Sequence, residues 1–214
     1  MECPFQSKPR WARRKDARPQ ELLDAALDLF VERGFAATRL DDVARRAGVS
    51  KGTLYLYYAN KDELFKAVVR ENLVPVLGEA ESMAQDYSGT SAELFRDIML
   101  GWWERVGDTR LSGITKLMLA ESGNFPELAT FYHDEVIARS NAMITRVLDR
   151  GIASGEFRLI DTVQATRIIV APVLMLMMWK HSFGGPCAFE PLAPQAYLQS
   201  FVDLFLNGLL APAQ

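Results

Sequence analysis

Cysteine and histidine are nearly absent from this 214-residue chain. The two cysteines, Cys3 and Cys187, form neither a disulfide framework nor a metal-ligand spacing. The two histidines, His133 and His181, are isolated from each other and from other ligand types. No metal site, no cofactor and no clustered nucleophile and base are therefore expected, and an enzyme is not indicated. Long apolar runs are also missing. The longest, residues 168–179, has twelve residues and contains Pro172, whereas a membrane span takes about 20. The first 20 residues are polar and basic with no apolar segment of the secretory kind, so a cytoplasmic location is expected. Strand-like alternation is scarce and no repeat of fixed period is visible.

What is present is 49% hydrophobic residues, ample for a buried core, and helical periodicity along most of the chain. The net charge of −3 hides an asymmetry. Residues 1–70 hold 14 Lys/Arg against 10 Asp/Glu, leaving 10 against 17 for residues 71–214. A basic segment on an otherwise acidic chain is a footprint for a polyanion, and it also fits ordinary surface charge. Six cations, Lys8, Arg10, Arg13, Arg14, Lys15 and Arg18, fall within eleven residues. Such an arm can track phosphates or enter a minor groove, or simply solubilise the chain.

The fold class expected is all-α, with about nine helices. Residues 20–34 place Leu22, Ala26, Leu29 and Phe30 on one face and acidic residues on the other, with Gly34 as C-cap. Thr38 followed by Asp41 reads as a capping box opening a second helix with Leu40, Val43, Ala44 and Ala47 inward. Gly48 suits a left-handed turn, and Ser50 caps a short third helix over 51–57. Asn60 with Glu63 opens a fourth, which Pro75 kinks or ends. Further helices are expected over 91–106, 110–121, 126–154, 161–183 and 194–209. This gives a basic arm over 1–15, a first helical domain over 16–75 and a second over 76–214.

Helix, glycine turn and helix over 40–58 follow in the order a helix-turn-helix requires. Val43, Ala44, Ala47, Val49, Leu54 and Tyr58 face inward. A helical hairpin without function could share that frame, but it would not need the polar and aromatic set left outside. Ser50 and the Gly52 amide suit phosphate, Lys51 adds charge, and Gly52 lets backbone approach DNA closely. Thr53, Leu56 and Tyr57 reach toward base edges or thymine methyls, and Tyr55 and Tyr57 toward phosphate oxygens.

Residues 18–69, RPQELLDAALDLFVERGFAATRLDDVARRAGVSKGTLYLYYANKDELFKAVV, resemble the N-terminal domain of TetR-family regulators. The resemblance rests on Gly34, Thr38, Ala44, Gly48, Val49, Ser50, Gly52, Leu54, Tyr55, Tyr58, Lys61, Leu64 and Phe65. It implies a repressor that binds a palindromic operator as a homodimer, with contacts from Thr38, Ser50, Lys51, Gly52, Thr53, Tyr55, Tyr57 and Lys61. Residues 121–137, ESGNFPELATFYHDEVI, look similar to the AefR-like effector domain. A ligand-binding domain is thereby implied, and Trp102, Trp103, Met118, Phe131, Tyr132, Met143, Met175 and Trp179 could line a pocket for a small apolar or aromatic effector, or simply form a helical core. The last two helices are the candidate dimer interface, since 168–179 is apolar all round. The alternative is a TetR-type regulator controlled by a protein partner without a small-molecule inducer. No membrane partner is expected.

Overall fold

The structure, a computed structural model, describes residues 18–182 and 192–210. Cys3, Cys187 and the cations at positions 8–15 lie outside the described residues. The chain divides into two compact units, Met1–Val68 and Val69–Gln214. Every described element is helical apart from a single bridge between Phe157 and Leu210.

The first unit begins with α1, Arg18–Ala37, broken at Gly34, whose φ of 83° only glycine takes without strain. Beyond the break, the buried hydroxyl of Thr38 donates to the carbonyls of Leu29 (3.1 Å) and Gly34 (2.7 Å). Helix α2, Leu40–Arg46, starts from Arg39, which has no side-chain cap. The expected capping box at Thr38 is therefore replaced by a tie back onto α1. Gly48 turns the chain at φ 67° into α3, Lys51–Tyr57. Helix α4, Lys61–Asn72, opens with the Glu63 amide donating to Asn60 Oδ1 at 2.8 Å. Phe30, Phe35 and Phe65 meet at ring-centroid distances of 5.4–5.6 Å, filling the centre with paired quadrupoles as well as apolar area. Two exposed ion pairs, Arg46 with Glu32 and Arg33 with Asp42, join α1 to α2.

The second unit takes over inside α4, upstream of Pro75. Pro75 does not end a domain. It occupies the first turn of α5, Val74–Asp86, where a missing amide hydrogen costs no intrahelical bond. Then come α6, Ser91–Trp102, α7, Ser112–Glu121, α8, Pro126–Tyr132, α9, Ala138–Ala153, α10, Thr162–Ser182, and α11, Pro194–Leu209. With α4 and α5 taken as one helix broken at Leu73, and 126–153 as one, the described residues hold nine helices. Helix α6 has a complete Thr90–Glu93 capping box, and Glu156 accepts from the Ser91 and Ala92 amides at 2.7 and 2.8 Å. A π-turn extends α6 over Trp103–Gly107 and another joins α8 to α9 over His133–Ile137. Leu94, Val106, Ile114, Leu148, Ile169, Leu198 and Val202 make the buried centre of this unit. Helix α10 is long and apolar enough to cross a membrane by length and composition, but a third of its most apolar stretch is buried in the unit.

Candidate nucleic-acid interface and effector cavity

Helix α3 has one buried residue. Leu54 is fully buried, while Tyr55, Leu56 and Tyr57 are exposed, Leu56 by 84%. Val43 and Ala44 are buried behind it, and Ala47, Val49 and Tyr58 are half-buried. Ser50 Oγ accepts from the Thr53 amide at 3.1 Å and pairs with Thr53 Oγ1 at 2.8 Å, so it caps the helix and orients Thr53. The Lys51 ammonium lies 2.7 Å from Asp41 Oδ1, and this hydrogen-bonded carboxylate raises the lysine pKa, holding it charged. Gly52 is exposed, and an added Cβ would meet nothing nearer than Ser50 Oγ at 3.8 Å. Packing within the chain does not demand a glycine there.

Two of the residues expected at DNA are placed differently. Thr38 is buried to 99% with its hydroxyl committed to α1, so its side chain presents no surface to a duplex. Lys61 is half-buried: its Nζ donates to the carbonyls of Phe35 (2.7 Å) and Ala36 (3.2 Å) and sits 4.4 Å from the centre of the Phe35 ring. A cation at the end of α1 satisfies carbonyls that the helix leaves open. Ser50, Lys51, Gly52, Thr53, Tyr55, Leu56 and Tyr57 are brought together on or beside one exposed face.

The second unit contains a cavity of about 630 Å³ between α5, α6, α7, the α8–α9 segment and α10. Trp102, Met118, Tyr132 and Met143 line it. Trp103 is buried away from it, its ring so close to Gly107 that no Cβ would fit there. Phe131 lies beneath the Arg70 guanidinium at 4.9 Å. Met175 is exposed on a surface groove with Ile168, Pro172 and Tyr197, and Trp179 lies near the end of α10 outside the lining. Sequence reasoning missed Ile98, Gly101, Thr115, Leu119, Ile137, Val173 and Met177. A signal existed, because Ile98 and Thr115 stand one helical turn from Trp102 and Met118.

The polar groups of the lining include Ser122, Ser140 and Asn141 besides a buried pair and three charged residues. Deep inside, Thr115 Oγ1 and Tyr132 Oη are 3.0 Å apart, and burial pushes the tyrosine pKa up to about 12 despite that hydrogen bond. Near solvent, Arg105 pairs with Glu79 at 2.6 Å, and Asp97 accepts from the Tyr87 hydroxyl at 2.8 Å. Exposed Met83, Leu119 and Ile137 mark the mouth. At the far end of α10, His181 Nε2 lies 2.7 Å from Ser112 Oγ, and burial, reinforced by Lys180 and Lys116, lowers its pKa.

Comparison with known proteins gives the same division. Residues 22–68 match the family of bacterial regulatory proteins of the tetR type, and residues 95–208 match the C-terminal domain of AefR-like transcriptional repressors. The HTH-type transcriptional repressor KstR2 of Rhodococcus jostii (strain RHA1) is 25% identical over 199 residues, covering 92% of this chain and 94% of that protein. The structure of the SmeT–triclosan complex, SmeT being the repressor of a Stenotrophomonas maltophilia multidrug efflux pump, superposes with a TM-score of 0.77 at 25% identity, over 92% of this chain and 93% of the other. FadR of Bacillus subtilis in complex with stearoyl-CoA shares the fold, with a TM-score of 0.73 at 23% identity over 88% of this chain and 98% of that one. TetR-family regulators bind operator DNA and small molecules and act as dimers. With a tetR-type match over most of the first unit and an AefR-like match across most of the second, the chain belongs to the TetR family and is a DNA-binding transcriptional regulator.

Proposed function

We propose that the protein represses transcription as a homodimer on a palindromic operator and leaves it when a small apolar or aromatic molecule fills the cavity of the second unit. The observation that carries this is the outward face of α3. Tyr55, Leu56 and Tyr57 are exposed while Leu54 alone anchors the helix, so three large side chains are committed to something outside the chain. On DNA, Thr53, Leu56 and Tyr57 read base edges and thymine methyls, Tyr55 meets phosphate, and Lys51 exchanges Asp41 for a phosphate. The basic segment upstream of α1 adds salt-dependent affinity.

One helix-turn-helix reads few base pairs, and a two-fold dimer sets two of them about 34 Å apart, one turn of B-DNA. The face for pairing is on α10 and α11, where Val163, Ile168, Met175 and Leu204 are exposed. This apolar surface on α10 is read as partner-facing rather than lipid-facing. SmeT in complex with triclosan and FadR in complex with stearoyl-CoA support a small-molecule ligand. Coupling has a physical route. Tyr132, Val136 and Ile137 line the cavity, and Glu135, in the same segment, accepts from Arg70 Nε (3.2 Å) and Nη2 (3.0 Å) on α4. A ligand that favours a shifted α8–α9 segment therefore biases α4, and only such differential affinity releases the operator.

The test is selection of bound fragments from random duplex DNA, followed by release assays. Palindromic fragments with half-sites about one helical turn apart, released by a ligand that also raises Tm, are expected. Non-palindromic binding by a monomer overturns the reading.

A further inference from the structure

Among the cavity's polar groups, which also include Ser122, Ser140 and Asn141, one buried pair points to the chemistry of its occupant. Two hydroxyls, Thr115 and Tyr132, meet deep inside it at 3.0 Å. Whichever donates to the other, one O–H proton remains, and no further hydrogen bond is made by either hydroxyl among the described residues. In an apolar chamber that proton is owed an acceptor, since an unsatisfied buried donor is costly. The tyrosine stays protonated at neutral pH, its pKa being pushed up to about 12.

The charged lining points the same way. It consists of Glu79, Asp97 and Arg105 among the described residues, and all three are solvent-facing. The one cation among them is paired with Glu79 at 2.6 Å. An anionic ligand would meet two carboxylates and one engaged guanidinium, with no cation inside. Gly101 adds a steric observation. It lies within α6 on the cavity lining, and a Cβ there would meet nothing within 4 Å. A helical glycine costs about 1 kcal/mol relative to alanine, and no neighbouring atom of the chain requires it. The space is left for something outside the chain to approach the α6 backbone.

We propose that the effector is a neutral, largely apolar molecule with one hydrogen-bonding oxygen, a phenol, alcohol or ketone, seated on the Thr115–Tyr132 hydroxyl pair and packed against Gly101. This rests on the reading of the cavity as an effector site and narrows it by charge. Carboxylates and acyl thioesters of coenzyme A are disfavoured by the same lining.

The test uses the full chain bound to its selected operator and two probe sets: 4-nonylphenol, 4-nonylbenzoate and nonylbenzene, then a hydroxysteroid and its carboxylate analogue. Dissociation constants and operator release are measured with each. The neutral oxygen-bearing probe of at least one skeleton is expected to bind about tenfold or more tightly than its anionic or hydrocarbon counterpart. Tyr132→Phe combined with Thr115→Val should bring the phenol to the hydrocarbon's affinity. Gly101→Leu should weaken every probe. Equal binding of phenol and hydrocarbon overturns this inference while leaving an apolar effector site standing. Tighter binding of the anions, or of palmitoyl-CoA, overturns it as well. No binding of any probe to wild type, with Gly101→Leu equally silent, overturns both this inference and the effector site it rests on.

Discussion

The two units differ in where their candidate sites lie, on the exposed surface of the first and in the interior of the second. In the first, the residues that make the fold and those proposed to meet DNA are different sets: Val43 and Ala44 on α2 and Leu54 on α3 are buried, while Tyr55, Leu56 and Tyr57 on α3 are exposed. In the second, the candidate effector site is the interior itself, and Met118, Tyr132 and Met143 are at once core and lining. Separation lets the recognition surface vary without touching stability. Overlap ties ligand preference to packing, because a change of lining is also a change of core.

Five substitutions sharpen or break this contrast, from the largest effect to the smallest. Leu54→Ala should cost about 2–5 kcal/mol in the first unit, read by hydrogen exchange of α2 and α3 amides. Leu56→Ala should leave that exchange unchanged and reduce operator affinity about tenfold or more; loss of protection in Leu56→Ala would end the separation. Thr38→Val should destabilise the first unit by about 1–3 kcal/mol, by leaving the Leu29 and Gly34 carbonyls without their donor. If it instead weakens operator binding with stability intact, Thr38 belongs with the DNA contacts after all.

Gly52→Ala is expected to act with opposite signs, raising the stability of α3 by up to about 1 kcal/mol while weakening DNA binding. A fall in both would assign Gly52 to the fold. The smallest effect concerns His181. Its pKa is lowered in the folded chain, so the unfolded state binds the proton first as pH falls. The stability it supports is present above the ordinary histidine value of about 6.5 and declines below it as pH falls toward the folded pKa. Tm of the second unit should therefore drop on acidification from pH 7 to 5, and His181→Gln should flatten that slope.

Legibility in the sequence followed the same line. The short helix over 51–57, the left-handed Gly48 and the Asn60 cap were readable because each depends on local chemistry. Thr38 misled because a Thr-x-x-Asp spacing does not reveal that its hydroxyl turns back to Leu29, nine residues upstream. Helix α5 was missed because Pro75 reads as a stop, although it is harmless in a first turn. Periodicity located the buried faces of α6 and α7 but none on α10, which is apolar all round, and it cannot say whether a buried face looks onto atoms or onto space. That is why Trp102 and Trp103, adjacent and equally bulky, separate into lining and core only in three dimensions. The π-turns at 103–107 and 133–137 shift the helical register and carry no periodic signature.

Helix α3 is seven residues long, and an isolated helix below about 12–15 residues is marginal in water. A synthetic peptide copying Lys51–Tyr57 would therefore be a floppy strand of side chains, unable to compete for the operator however faithfully it reproduced Tyr55, Leu56 and Tyr57. The reading head has no existence apart from its mount. An antagonist aimed at this protein gains more by loosening the seat of Leu54 than by mimicking the exposed face proposed to meet DNA.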